Sequence, residues 1–175
     1  FLVIISLSNT LFAQLPENID LEADNIIFQK NNHLLQATSN VILSYENLTT
    51  YTETFIYDTK LSEVKFPTFL RLSNQQQSLT ADSLVYSFKK NNGHAKNITI
   101  KSNKLTLKTE RASISPLKAT LHNTSISNCN LKEKHIAIHS QRIDVYPMLG
   151  IINARKNWLD IHFLPFQIPI PYFPY

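Results

Sequence analysis

The chain has 175 residues, 43% of them hydrophobic and 17% charged, which is enough for one domain with its own core. Its formal net charge of +4 is mild, and no run of Lys and Arg is dense enough to indicate a nucleic-acid partner. Neither a nucleophile elbow, a zinc-protease helix nor a phosphate-binding loop occurs, and His and Cys do not cluster, so the sequence predicts no enzyme, no cofactor and no metal site.

Residues 1–13 form an uncharged apolar run that ends in Ala13, before Gln14. This pattern is typical of the hydrophobic region and cleavage end of a secretory signal peptide whose Met and basic start are missing. The run is too short to cross a bilayer as a helix, and a buried first strand is the alternative. The signal-peptide interpretation predicts export from a bacterial cytoplasm, with the mature part beginning near Gln14.

One six-residue unit recurs from residue 23 onward. Its first copies start at 23, 52 and 81, two steps of 29 residues, and weaker copies start at 109 and 140. A fixed period of this size indicates stacked β-structure. Because side chains alternate along a strand, the fourth and sixth positions of each copy share a face. Those positions are all apolar or aromatic: Ile26, Phe28, Phe55, Tyr57, Leu84, Tyr86, Ala112, Ile114, Ile143 and Val145.

The second position of each copy lies on that same face, at the start of the predicted strand. It carries an acidic or amide group, which can reach water or accept hydrogen bonds from a turn. Stacked copies therefore predict an apolar strip about two residues deep with a polar lip. The strip could be a ligand groove or the core of a closed β-sandwich. The polar positions are Asp24, Glu53, Asp82, Glu110 and Gln141.

Segments between the copies also alternate between apolar and polar residues. Val41 and Leu43 share one face of a predicted strand, as do Ile98 and Ile100, and residues 104–108 alternate most regularly. Helical spacing is hard to find anywhere. Together these segments predict an all-β fold.

Asparagine is expected to form turns that glycine forms in other proteins. The chain contains only two Gly but seventeen Asn. Asn tolerates the left-handed conformation, so Asn-Asn at 31–32 and at 91–92 predict hairpin turns.

From Trp158 to Tyr175 the chain is rich in proline and aromatic residues. Proline removes a ladder hydrogen bond, so this segment is not expected in a central sheet, and an extended apolar tail would promote aggregation in water. We therefore expect residues 158–175 to lead into a further part of a longer protein. Cys129 has no second Cys to pair with, so it is either a free thiol or pairs outside this chain.

The repeated Ala-Asp-x-apolar-x-aromatic unit, with the export signal, resembles the OstA-type domain of lipopolysaccharide (LPS) transport proteins. The tail, with Asn153-Ala154-Arg155, Trp158-Leu159 and residues 168–175, is similar to the segment that leads into the outer-membrane barrel in the LptD family of LPS-assembly proteins. The resemblance covers most of residues 20–175. The chain departs from the family in lacking an amino-terminal Cys, in a longer linker before Pro169, and in carrying Asn at turns where Gly is expected.

The resemblance implies a periplasmic β-jellyroll domain over residues 14–157 at the outer membrane, in which two packed antiparallel sheets form an open, V-shaped trough. The trough would receive LPS from an LptA-like bridge protein by edge-strand addition and pass its acyl chains to the membrane. It also implies a barrel, an LptE-like lipoprotein bound through that barrel, and a disulfide from Cys129 to the barrel. The predicted lipid-lining residues are Ile26, Phe28, Val41, Leu43, Phe55, Tyr57, Leu84, Tyr86, Ile98, Ile100, Ile114, Ile143 and Val145.

Two alternatives stay open. A soluble, LptA-like bridge protein would keep the trough without a barrel. A structural or carbohydrate-binding β-sandwich would use the apolar strip only as its core.

Overall fold

The computed structural model of the protein describes residues 19–102, 105–128, 135–161 and 166–170. These residues form almost entirely β-strands, which confirms the predicted all-β fold. Two 3-10 turns, Lys30–Asn32 and Pro147–Leu149, interrupt the strands. None of the described helices is long and apolar enough to cross a membrane. The strands are β1 Asp20–Glu22, β2 Asn25–Gln29, β3 Leu34–Tyr45, β4 Leu48–Asp58, β5 Glu63–Phe66, β6 Leu70–Ser73, β7 Gln77–Ala81, β8 Ser83–Ser87, β9 Asn92–Ser102, β10 Leu105–Ile114, β11 Ala119–Ser127, β12 Ile136–Tyr146, β13 Ile151–Ile161 and β14 Ile168–Ile170.

Hydrogen bonds join the fourteen described strands into one antiparallel sheet. Between the long strands β4 and β9 the sheet divides into two ladders. Strands β5 and β8 join the end of β4 to the start of β9. Strands β6 and β7 join the start of β4 to the end of β9. The two ladders lie on opposite sides of a line that crosses the middle of every long strand.

Along this line the long strands bend. The pairing of β3 with β4 shifts between Thr38 and Val41, and the pairings from β9 to β13 each skip one position. The backbone is left-handed at Asn40, Asn97, Asn123 and Lys156, with φ between 49° and 54°. Asn reaches this conformation more easily than most residues because its side chain bonds locally. The bend therefore divides the sheet into two half-sheets.

The two half-sheets are defined by which side of the bend a residue occupies. The first half-sheet consists of β2, β5, β8 and residues 34–38, 54–58, 92–96, 111–114, 119–122, 142–146 and 151–155. The second half-sheet consists of β1, β6, β7, β14 and residues 41–45, 48–52, 98–102, 105–109, 124–127, 136–140 and 157–161.

The inner faces of the half-sheets pack against each other in two apolar clusters. In the larger cluster, Leu70 and Leu107 of the second half-sheet pack with Leu121 of the first. In the smaller cluster, Val41 of the second packs with Phe55 of the first. Burying a side chain of this size contributes about 1.5–3 kcal/mol. The two layers predicted as separate sheets are thus the two halves of one bent sheet.

The predicted asparagine turns differ from each other. Asn91 adopts the left-handed conformation, with φ of 48°, as predicted for the β8–β9 turn. In the turn before β3 the left-handed residue is His33, which follows the 3-10 turn and donates its N–H to the Lys30 carbonyl. The short helical turn moves the left-handed position one residue beyond Asn32.

Candidate functional site

The sixth positions of the five repeat copies lie in one continuous row on the inner face of the first half-sheet. Each member of the row is the direct cross-strand partner of the next, so all of them point to the same side. Ten strands spaced by roughly 4.8 Å make the row about 43 Å long. The members are Phe28, Leu35, Tyr57, Val64, Tyr86, Gly93, Ile114, Ala119, Val145 and Ile152.

The fourth positions lie in a second row beside the first. Between β4 and β5 this row continues through a ring contact of Phe55 with Phe66, whose centroids are 5.4 Å apart. We call the two rows together the apolar strip. The members of the second row are Ile26, Ala37, Phe55, Phe66, Leu84, Ala95, Ala112, Leu121, Ile143 and Ala154.

The remaining predicted lipid-lining residues lie on the facing half-sheet. Val41, Leu43, Ile98 and Ile100 are all buried there, in the two core clusters. The structure therefore brings the thirteen predicted residues to the inner faces of the two half-sheets, nine on the apolar strip and four opposite it.

The apolar strip is buried or half-buried between its ends and exposed at one edge. At the amino-terminal edge Ile26 and Phe28 are 49% and 57% exposed. At the carboxyl-terminal edge the exposed inner residues belong to the second half-sheet, where Ile136 and Ile138 are 48% and 42% exposed. Apolar surface is thus accessible at both ends of the stack, with packed side chains between.

Tyr86 packs tightly against its neighbours in the apolar strip. Its ring lies over Gly93, where an added Cβ would stand 2.7 Å from the Tyr86 ring and 2.6 Å from the Val85 carbonyl oxygen. The ring also packs edge-on against Phe88, with centroids 5.2 Å apart. Burial raises the pKa of the Tyr86 phenol and of the Tyr57 phenol, as expected for rings held in an apolar row.

The second positions lie at the bend, where three of the four acidic ones accept hydrogen bonds from asparagine. Asn40 donates to Asp24 at 2.8 Å, and Asn97 donates to Asp82 at 2.7 Å. Asn123 donates to Glu110 in the same way. The polar positions therefore line the bend. These positions were predicted from the sequence, but the bend was not. The spacing in the sequence could have indicated these pairs, because each asparagine follows its acidic partner by 13 to 16 residues.

The outer face of the first half-sheet carries a second feature that sequence reasoning missed. Five basic residues follow one another in register on neighbouring strands, each next to a bend position. Like charges placed directly opposite each other destabilise a sheet. We call this set the cation row: Lys96, Arg111, His122, Arg142 and Arg155.

Asp144 compensates part of this charge. Its carboxylate is 2% exposed and accepts hydrogen bonds from Arg142 at 2.9 Å and from Thr120 at 2.7 Å. Burial by itself raises the pKa of this carboxyl group. The hydrogen bonds and the nearby positive charge outweigh burial, so the pKa lies below its ordinary value. Glu110, 3.6 Å from Arg111, is a second, exposed counter-charge.

Other predicted features are placed as follows. Cys129 and residues 1–13 lie outside the described residues. Strand β13 runs through Trp158, where the predicted tail begins, and Pro169 lies opposite Trp158 in the edge strand β14. Within the described ranges no group of three His, Cys, Asp or Glu side chains could hold a metal ion. His139 stacks on Trp158 and lies 3.7 Å from Asp160.

No protein-family model matches this sequence, and no curated protein matches it. Sixteen chains of solved structures match it. One is the crystal structure of LptH from Pseudomonas aeruginosa, described as the LptA-homologous periplasmic component of the conserved lipopolysaccharide transport device. The match has 10% sequence identity and a TM-score of 0.45, and it covers 55% of this chain and 74% of the LptH chain.

Proposed function

We propose that this protein is the periplasmic LPS-receiving domain of an outer-membrane LPS translocon, and that it passes LPS acyl chains along the apolar strip. The observation that carries the proposal is the pair of unbroken apolar rows that cross ten strands. Each methylene exposed to water costs about 0.8 kcal/mol, so a lipid needs an apolar path across an aqueous compartment. Such a path needs no catalytic groups, and we propose transport rather than an enzymatic reaction.

Lipid would first contact the strip where it is exposed. Ile26 and Phe28 offer apolar surface at the amino-terminal edge, and Ile136 and Ile138 offer it at the other. Between them the half-sheets must part for acyl chains to pass. Hydrocarbon can replace hydrocarbon there, because the hydrophobic effect is not directional and rewards any apolar contact that excludes water.

Partners would join at the unpaired edges of the sheet. Among the described strands, β1 and β2 pair only with β3, and β14 pairs only with β13. An exposed strand edge can add a strand from another chain, which supports an LptA-like bridge protein as the partner. A following barrel, an LptE-like lipoprotein and a disulfide from Cys129 are proposed on the sequence resemblance alone.

Photo-crosslinking to LPS tests the strip directly. A photoreactive residue at Phe28 should label LPS, whereas one at Ile27 should not, since the two are adjacent, both exposed, and on opposite faces of β2. Ile138 and its neighbour His139 provide the same comparison at the other edge. Equal labelling at the inner and outer positions, or none at either, would favour a closed structural sandwich.

A soluble bridge protein is the second candidate, because both ends of the sheet offer edge strands. The reading frame beyond Tyr175 distinguishes the two. A series of alternating, roughly ten-residue amphipathic strands supports the translocon, and an early stop codon supports the bridge.

A further inference from the structure

Five turns lie along one end of the first half-sheet. The strands that they join end in register, as in the pairs Asp58 with Glu63 and Ile114 with Ala119, so the turns form a continuous border. This border lies directly beyond the first row of the apolar strip. The turns are residues 30–33, 59–62, 88–91, 115–118 and 147–150.

Four of these turns contain lysine, and none of the five contains Asp or Glu. Each lysine follows a member of the first row by two to four residues, as Lys60 follows Tyr57 and Lys118 follows Ile114. At about 3.3 Å per residue, the backbone of each lysine lies within roughly 13 Å of the row. We call these residues the lysine lip: Lys30, Lys60, Lys89, Lys90 and Lys118.

Nearby carboxylates neutralise the lysine lip only in part. Asp58 accepts the backbone N–H groups of Lys60 and Leu61, and Glu63 pairs with Lys65 at 2.9 Å. The Lys118 ammonium lies 3.9 Å from the carboxylate of Asp144, on the outer face, so Lys118 is the lip lysine with the nearest counter-charge. The other lip lysines are exposed on turns that carry no acidic residue.

Large apolar side chains project beside the lysines. Leu61 follows Lys60 and is 53% exposed, and Leu117 precedes Lys118 and is 71% exposed. A cation next to an exposed apolar group is typical of the boundary between hydrocarbon chains and charged head groups. This pairing is a second observation that points to an amphiphile.

We propose that the lysine lip binds the phosphate groups of a lipid whose acyl chains lie on the apolar strip. The inference rests on the proposed function, since it takes the strip as the chain-binding surface. Successive lysine-bearing turns from β4 to β11 are two strands apart, roughly 10 Å. The phosphate groups of a lipid moving along the strip would therefore contact the next lysine before they left the previous one. In this way the lip would guide the head group.

Equilibrium binding of two lipid probes tests the proposal: the bisphosphorylated lipid anchor of LPS and the same lipid with its phosphates removed. Wild-type protein should bind the phosphorylated probe more tightly. Replacing Lys30, Lys60, Lys89 and Lys90 by Gln should weaken that binding about tenfold or more at low salt and leave the dephosphorylated probe nearly unchanged. The expected loss should shrink at high salt because exposed charges are screened.

A matched variant carries Gln at Lys96, Lys101, Lys108 and Lys156, which removes the same charge away from the lip. This variant should retain the wild-type preference for the phosphorylated probe. Equal losses of affinity for that probe in the two variants would overturn the lysine lip. Equal affinity of the wild-type protein for both probes would overturn the lip alone and leave the proposed function standing. If neither probe binds the wild-type protein, the proposed function fails and the lip fails with it.

Discussion

The two half-sheets use the same long strands but differ in the inner row next to the bend. In the first half-sheet that row is apolar throughout, including Leu121 and Ile143. In the second it becomes polar from β10 onward. There Thr109 donates to the His122 carbonyl at 2.8 Å, Thr124 donates to Thr109, and Ser140 donates to Asn157 at 2.7 Å. Beside the bend, directional side-chain hydrogen bonds therefore stabilise the second half-sheet, whereas the first has non-directional apolar contacts there.

Their ends differ as well. The turns that border the first half-sheet carry the lysine lip. The described turns that border the second carry Glu46 and Asn47 in one case and Asn74, Gln75 and Gln76 in the other. We infer from this difference that the second half-sheet stabilises the bend, whereas the first presents an apolar surface on which lipid can replace the contacts between the half-sheets. Four tests, each built on one or two substitutions, follow from this comparison.

The largest effect is expected in the fully buried part of the apolar strip. Leu121 is 2% exposed, and Leu121→Ala should lower the free energy of unfolding by about 3 kcal/mol through lost burial and a cavity. Thr124→Val, three residues away in the polar row, keeps the side-chain shape and should cost about 1 kcal/mol by losing one hydrogen bond. Urea unfolding measures both. Equal losses in the free energy of unfolding would mean that the two rows do not differ in the interactions that stabilise them.

A smaller loss is expected where Tyr86 covers Gly93. Gly93→Ala should lower the free energy of unfolding by about 2 kcal/mol, because the new Cβ meets the Val85 carbonyl oxygen at 2.6 Å. The matched control is Gly150→Ala, where no atom lies within 4 Å but φ is +65°. That change should cost about 1 kcal/mol through backbone strain alone. Near-UV circular dichroism should show a change in the tyrosine region, from the displaced Tyr86 ring, only for Gly93→Ala.

Asp144 supports the outer face of the first half-sheet in a pH-dependent way. Its pKa is lowered in the folded state, so its carboxylate stabilises the fold above the ordinary pKa of 3.8 and loses this effect as the pH falls through the folded value. Asp144→Asn should lower stability at pH 7 by about 1–2 kcal/mol. The difference from wild type should begin to shrink as the pH falls below about 4 and should be lost once the pH is below the folded pKa. A difference that is constant from pH 7 to pH 2.5 would contradict this role.

The repeat and the apolar strip could be predicted from the sequence because both depend on a local, two-residue alternation. Exposure could not be predicted, since Ile26 and Phe55 hold the same repeat position. Ile26 lies on edge strand β2 and is exposed, whereas Phe55 is covered by the facing half-sheet. The bend at Asn97 was not visible because a left-handed residue there depends on where the cross-strand pairing skips a position.

The cation row was missed for a related reason, since its members are 11 to 20 residues apart in sequence and meet only through register.

The effect of the cation row on stability should be the smallest of the four predicted effects. Arg155 pairs in register with Arg142, whereas Lys108 on the second half-sheet pairs with the neutral Thr99 and Ser125. Arg155→Thr should therefore raise the urea midpoint slightly at low ionic strength, because it removes a like-charge pair. Lys108→Thr removes the same charge without relieving such a pair and should not raise the midpoint. The difference between the two variants should disappear in 1 M salt, where the screening length falls to about 3 Å, so a gain for Arg155→Thr that persists there would have a cause other than charge repulsion.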